Sequence, residues 1–182
     1  MNRIITERLV LRPFTYDDIE CIYAIFSDRE LNRFLPWFPL ACPAEAEDFL
    51  HQRLEGDYCF ALCLKEDESR PVGYITFSDP DGAADLGYGL MKEYQGRGLM
   101  SEAVTAVIGK LREDGFCYVT ATHDVNNPRS GEVMKRAGMK YMYSYTEQWM
   151  PKNIAVTFRL YQLNLDGNDG RVFTRYLERQ AH

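Results

Sequence analysis

The 182 residues are 46% hydrophobic and 26% charged, and 21 Lys and Arg against 27 Asp and Glu leave a net charge of −6. This length suits one globular domain, 1–182, that buries roughly two-thirds of the surface its unfolded chain would expose. The acidic balance argues against a general nucleic-acid binder, and no apolar run approaches the roughly 20 residues of a membrane span.

The N-terminus has no signal-peptide h-region, and Cys21, Cys42, Cys59, Cys63 and Cys117 are odd in number with no CxxC pair. A cytoplasmic protein with reduced thiols is the expectation. Residues 4–14 read as a first strand with Leu9, Leu11 and Pro13 on one face and Arg8, Val10 and Arg12 on the other. Thr15 reads as an N-cap with Asp18 three residues on, ahead of a helical stripe at Ile19, Ile22, Tyr23 and Phe26. In Phe34-Leu-Pro-Trp-Phe-Pro39 two prolines interrupt regular structure while large apolar residues stay together, so Trp37 and Phe38 either plug a core or wall a pocket. A second helix is expected over 43–56, with Ala46, Phe49, Leu50 and Leu54 inward and His51 as a surface or packing residue.

The apolar run 58–64 suggests a strand covered on both faces, with Cys59 and Cys63 on one side and too far apart to bridge. A charged turn over 65–70 leads to a strand over 72–78, and Asp79-Pro-Asp-Gly82 turns the chain back into a strand where Leu86, Tyr88 and Leu90 alternate with Asp85, Gly87 and Gly89. Tyr94-Gln-Gly-Arg-Gly-Leu-Met-Ser-Glu102 follows, then a helix carrying Met100, Val104, Val107, Ile108 and Leu111, with Gly115 as its C-cap.

Strand, glycine loop and helix together make a candidate phosphate cradle. Gly96 and Gly98 can turn with positive φ, and the first N–H groups of a helix lack partners at the positive end of its dipole. A tight turn with no ligand would use the same glycines. A P-loop would need Gly-Lys-Ser/Thr, which Gly98-Leu-Met100 lacks. Beyond the helix, 117–122 reads as a strand, and Asn127-Pro128 opens a helix with Val133, Met134 and Ala137 inward and Gly138 at its end. Strands over 139–149 and 154–165 should pair as a hairpin that places Tyr141, Tyr143, Tyr145, Glu147 and Trp149 on one face. Residues 166–182 read as a short helix or tail.

This order of elements, with Gln95-Gly-Arg-Gly-Leu-Met100 and Asn127-Pro-Arg-Ser130 in place, resembles the GNAT (GCN5-related N-acetyltransferase) family over roughly residues 4–165. The opening Thr6-Glu-Arg-Leu-Val-Leu-Arg-Pro13 is similar to the ribosomal-protein N-acetyltransferase branch, RimJ and RimL. The resemblance implies an α/β (α+β) fold with a mixed, mostly antiparallel twisted sheet of about seven strands flanked by about four helices.

It also implies transfer of an acetyl group from acetyl-CoA to a primary amine, without a metal. The pyrophosphate would lie on the main chain of Gln95, Gly96, Arg97, Gly98, Leu99, Met100 and Ser101, with Met100 departing from the small residue usual there. Leu90 and Met91 would occupy a strand bulge and offer an N–H to the carbonyl oxygen, and Asn127 would reach the pantetheine arm. Many relatives donate a proton from a Tyr on the later helix, where this chain has Met134; the ribosomal-protein branch uses the Ser of Asn-x-x-Ser, here Ser130. Glu147 would be the first choice of base and Asp85 the second. Adjacent strand residues point to opposite faces, so His123 and Asp124 make no relay. The acceptor is expected to be a protein N-terminus, with a small amine or a non-catalytic acyl-CoA sensor as alternatives, and a homodimer stays open.

Overall fold

The structure is a computed structural model that describes residues 3–54, 59–78 and 83–178. Its centre is a mixed sheet of eight strands in the order β1-β2-β3-β4-β5-β6-β8-β7. In chain order these are β1 (Ile4–Ile5), β2 (Leu9–Arg12), β3 (Cys59–Leu64), β4 (Asp67–Ser78), β5 (Ala83–Leu90), β6 (Tyr118–Asp124), β7 (Lys140–Trp149) and β8 (Ile154–Asn164). All neighbours run antiparallel except β5 and β6, which pair in parallel only from Ala83 with Tyr118 to Leu86 with Ala121. Past that point β5 continues to Leu90 and β6 to Asp124 without pairing to each other.

One face of the sheet carries α3 (Leu99–Glu113) and α4 (Pro128–Arg136). The stripe Leu99, Met100, Ala103, Val104, Val107, Ile108 and Leu111 is buried there against Leu9, Leu11, Phe60, Leu62 and Leu86. Gly98 enters α3 with φ +78°, and Gly115 leaves it at +84°, conformations open to glycine at little cost. Pro128 sits at the first position of α4, where its missing N–H costs nothing, and Gly138 at φ +85° ends it. The opposite face carries α1 (Ile19–Ser27) and α2 (Ala44–Phe49) over Cys59, Ala61, Cys63 and Tyr74. Strand β3 is thus covered on both sides, which is why its sequence is a continuous apolar run rather than an alternating one.

Several expectations are corrected. The first strand is two strands separated by a turn in which Thr6 and Leu9 exchange hydrogen bonds, and Val10 is buried along with Leu9 and Leu11. The second helix changes to a π-helical turn at Leu50–Leu54, and its expected end at Gly56 lies outside the described residues, as do Tyr58 and the turn over 79–82. Strand β4 begins at Asp67, so most of the expected charged turn is strand. No bulge interrupts β5, which holds regular register with β4 from Asp85 to Leu90; the sheet's irregularities fall in β3–β4 and at Tyr141/Tyr143 of β7. The latter shift leaves Tyr141 paired with Tyr161 and packed on its ring, on the face away from Tyr143 and Tyr145. The tail forms the short α5 (Arg175–Glu178).

At the start of α1, the Thr15 N–H donates to the Asp18 carboxylate at 2.8 Å, as the sequence suggests. Less visible in sequence is Arg12, which grips the same carboxylate with two bonds of 2.7 Å at a site where Asp18 is 1% exposed. Replacing Asp18 with Ala strands a part-buried guanidinium, and a loss of about 3 kcal/mol in urea-unfolding free energy is expected. A loss below about 1 kcal/mol, the worth of a surface pair, would show that the pair is solvated in practice.

Candidate active site

Where β5 and β6 part, a cavity of about 830 Å³ runs through the sheet from the glycine loop to the aromatic loop after α1. Its first end is the segment 95–101. Gly96 and Gly98 both have positive φ, and no neighbouring atom lies within 4 Å of the space above Gly96. A side chain at either glycine would strain the backbone, so the pair leaves main-chain N–H groups open at the start of the 15-residue helix α3. Such a terminus favours an anion.

The loop is held from behind by the N-terminal strand pair. Glu102, in the first turn of α3, accepts hydrogen bonds from Thr6 Oγ1, the Arg8 N–H (2.9 Å) and Arg8 Nε (2.7 Å), while Arg8 Nη1 donates to the Arg97 carbonyl at 2.9 Å. Burial works against the Glu102 charge, but these bonds outweigh it and hold the carboxyl below its ordinary value. Arg97 itself stays outside the cavity lining, with its guanidinium 5.7 Å from the Tyr94 ring. The Gln95 side chain donates to the Leu90 carbonyl at 2.8 Å and so ties the loop to β5.

Of the two expected main-chain donors, one is spent. The Met91 N–H donates to the Val72 carbonyl at 2.9 Å, and Met91 does not line the cavity. Antiparallel ladders alternate, so the Leu90 N–H points the other way, into the gap that opens towards β6. Across that gap, Asn127 caps α4 by position without a side-chain cap bond, which leaves its amide available to a ligand. Ser130 Oγ donates to the Tyr88 hydroxyl at 3.1 Å, and Tyr88 donates to the Ser130 carbonyl at 2.9 Å. Burial pushes the Tyr88 phenol well above its ordinary value, so it stays a neutral donor. Met134 is fully buried in the core and reaches no site.

The opposite face of the gap belongs to Asp85. Its carboxylate accepts from Thr120 Oγ1 at 2.8 Å and, at longer range, from the Tyr176 hydroxyl at 3.4 Å. Burial pushes its pKa up to about 6 against these two bonds, with a further upward push from Glu147. Glu147 stands near enough to be felt but does not line the cavity, and the Trp149 indole N–H donates to it at 2.7 Å. Tyr176 stacks on Tyr145 with ring centroids 4.5 Å apart. Gln162 holds this C-terminal segment to β8 by donating to the Arg171 carbonyl and accepting from the Phe173 N–H. Nothing in the linear pattern of the tail marked it as a neighbour of Asp85.

The end of the cavity away from the glycine loop is walled by Phe34, Leu35, Pro36 and Trp37, whereas Phe38 is 61% exposed and is not part of the lining. Lys152, in the β7–β8 turn, donates to the carbonyls of Asn32 (3.1 Å), Arg33 (3.4 Å) and Leu35 (2.6 Å) and so pins the turn to this wall. His123 also borders the cavity, with Nδ1–H donating to the Asp124 carbonyl, not to a carboxylate, and Nε2 facing Gly131 without a partner. Burial keeps it neutral by lowering its pKa. Among the described residues no group of three or more His, Cys, Asp and Glu could hold a metal ion.

A profile for the acetyltransferase (GNAT) domain matches residues 8–140. The chain is 26% identical over 152 residues to the [ribosomal protein uS5]-alanine N-acetyltransferase of Escherichia coli K12, a match that covers 76% of this chain and 78% of that one. Among solved structures, a GNAT-family acetyltransferase from Bacillus anthracis superposes with a TM-score of 0.80 at 24% identity, over 91% of this chain and 99% of that one. RimL, a ribosomal L7/L12 α-N-protein acetyltransferase solved with coenzyme A, does so with a TM-score of 0.75 at 19% identity, over 92% and 100%. The sheet that parts between β5 and β6, the glycine loop on α3 and the profile that spans most of the chain have one explanation: this protein belongs to the GNAT family of acetyltransferases.

Proposed function

We propose that the protein moves an acetyl group from acetyl-CoA to a primary amine, and that the amine is the N-terminus of a protein. The observation that carries this reading is the continuous cavity, which puts an anion cradle at one end, an unspent main-chain N–H in the middle and a part-buried carboxylate on the far side. RimL is by name an α-N-protein acetyltransferase of ribosomal L7/L12 and the uS5 enzyme an alanine N-acetyltransferase of a ribosomal protein, which supports the acceptor class. The five free cysteines fit a reducing compartment such as the cytoplasm, and the single sheet fits the expected single domain.

In this reading the diphosphate of acetyl-CoA lies on the N–H groups of 96–101 and Asn127 meets the pantetheine amides. The Leu90 N–H donates to the thioester oxygen, a bond that strengthens as the amine attacks and the oxygen becomes an oxyanion. Asp85 takes the ammonium proton, directly or through a water molecule; Glu147, outside the cavity, raises the Asp85 pKa by its charge rather than serving as base. When the C–S bond breaks, Ser130 Oγ–H, paired with Tyr88, polarises the leaving thiolate and relays to it a proton from water, which leaves the pair itself unchanged. A small-amine acceptor would fit the same chemistry, and the aromatic wall with Trp37 would then close over it.

Thiol release with a panel of N-terminal peptides and small amines tests the acceptor class; release with small amines alone would replace the protein N-terminus. CoA at about 100 times its dissociation constant should stabilise the fold by about 2.7 kcal/mol in thermal unfolding, a gain that Gly98→Val removes. Because Asp85 works ionised, kcat/KM should climb with pH through an inflection near 6. Asp85→Asn should erase that inflection and lower kcat by about 100-fold. The same variant should not be less stable at neutral pH, since a carboxyl raised above its unfolded value loses stability as pH rises through its folded pKa. Ser130→Ala should lower kcat by about tenfold with CoA affinity kept; CoA binding that survives with no turnover in the wild type would make the protein a sensor instead.

A further inference from the structure

The acceptor half of the cavity continues away from Leu90 as a line of rings. Tyr74 lies so close over Gly89 that an added Cβ there would stand 2.5 Å from its ring. From Tyr74 the centroids step to Phe26 (4.9 Å), then to Phe49 (4.4 Å) and to Trp37 (5.8 Å). At the end stands Arg53, its guanidinium 4.7 Å above the Trp37 ring and 5.9 Å from Phe49.

Arg53 is exposed, borders the cavity, and makes no ion pair or hydrogen bond among the described residues. Arg3, Arg8, Arg12 and Arg171 each have a carboxylate partner, whereas Arg53, like Arg129 and Arg136 at the other end of the cavity, has none among the described residues. Beside it, the Trp37 Nε1–H is buried with no acceptor. A buried donor left unpaired costs free energy, and a guanidinium held flat on an indole is already oriented to receive oxygen atoms. At this end of the cavity the exposed guanidinium of Arg53 is the group that lacks an anionic oxygen. The donor end has cations of its own in Arg129 and Arg136 on α4, so Arg53 on the other face of the sheet is not needed for the phosphates of acetyl-CoA. On the acceptor side the lining thus offers Asp85 to an ammonium, the half-buried wall of Phe34, Leu35, Pro36 and Trp37, backed by the buried rings, to an apolar stretch, and Arg53 to a negative charge.

We infer that the acceptor is a peptide whose free N-terminal amine is followed by an apolar residue and then, a few positions along, by an acidic side chain that Arg53, held over the Trp37 ring, selects. This specificity rests on the reading of the cavity as the site of acetyl transfer. An extended peptide advances about 3.4 Å per residue, so the line of rings places the acidic side chain beyond the second position.

The test uses the full chain and peptide twins that begin with Ala and an apolar residue and carry Glu or Gln at the third, fourth or fifth position, with thiol release as readout. At one position the Glu peptide should be favoured about tenfold in kcat/KM, mainly through KM. In Arg53→Gln that ratio should fall to about one, in Arg53→Lys it should partly return, and Arg53→Glu should prefer a third version of the peptide with Lys at that position; the CoA-induced thermal shift serves as the folding control. Turnover with Glu and Gln twins alike in the wild type, or a ratio that persists in Arg53→Gln, overturns the inference and leaves acetyl transfer standing. Turnover of an ω-aminocarboxylate over the matching alkylamine, with no peptide accepted, replaces the peptide by a small dipolar amine. If no amine of any kind is acetylated, the reading of the cavity fails and the inference falls with it.

Discussion

The parallel ladder between β5 and β6 stops at Leu86 and Ala121, and the rest of the site depends on that early end. A sheet satisfies its main-chain donors strand against strand, so a binding channel through its middle requires two neighbours to separate. Here the separation frees one side of Tyr88 and Leu90 for a ligand while β4 still holds the other side. It also decides geometry on both faces: Ser130 and Tyr88 meet on the side of α4, and Asp85 with Thr120 stands on the other. A donor and an acceptor that enter from opposite faces can then meet in one gap.

Keeping the gap open needs rigid sides. On the donor side this falls to Glu102, which locks the first turn of α3 to Thr6 and Arg8 while Arg8 also holds the Arg97 carbonyl. The glycines are therefore permissive in backbone conformation but not loose, because a charged network fixes the loop that contains them. Such a network spends a carboxylate that a helix N-terminus already favours, and it frees the remaining N–H groups to face the cavity.

On the acceptor side, two different segments share the same face of the sheet. Helices α1 and α2 cover the half next to β3 and β4, and the C-terminal segment with Phe173 and Tyr176 covers the half next to β7 and β8. Asp85 lies in the groove between them, which is why it is desolvated and why its partners come from β6 and from the tail. Lys152 closes the end of that groove by joining the hairpin turn to the aromatic wall, at the cost of a desolvated ammonium whose pKa is lowered by burial. In the proposed reading the acceptor enters past Trp37 and Arg53, where an exposed cation stands over the indole ring.

The sequence by itself determined the elements whose signals are local. Gly98, Pro128, Gly115 and Gly138 mark helix ends through their own backbone limits, and the stripe from Leu99 to Leu111 shows its period without reference to anything else. Together with the two motifs, these made the family and the donor loop readable, along with the two-sided burial of β3. What the tertiary structure decided are the relations between residues far apart in the chain. Glu102 with Arg8, Asp85 with Tyr176, Lys152 with Leu35 and Arg53 over Trp37 leave no mark in any local pattern, because each depends on how the sheet twists and where it parts. The same holds for the choice between carboxylates. The resemblance ranked Glu147 ahead of Asp85, and only burial and access separate Asp85, in the cavity, from Glu147 beside it.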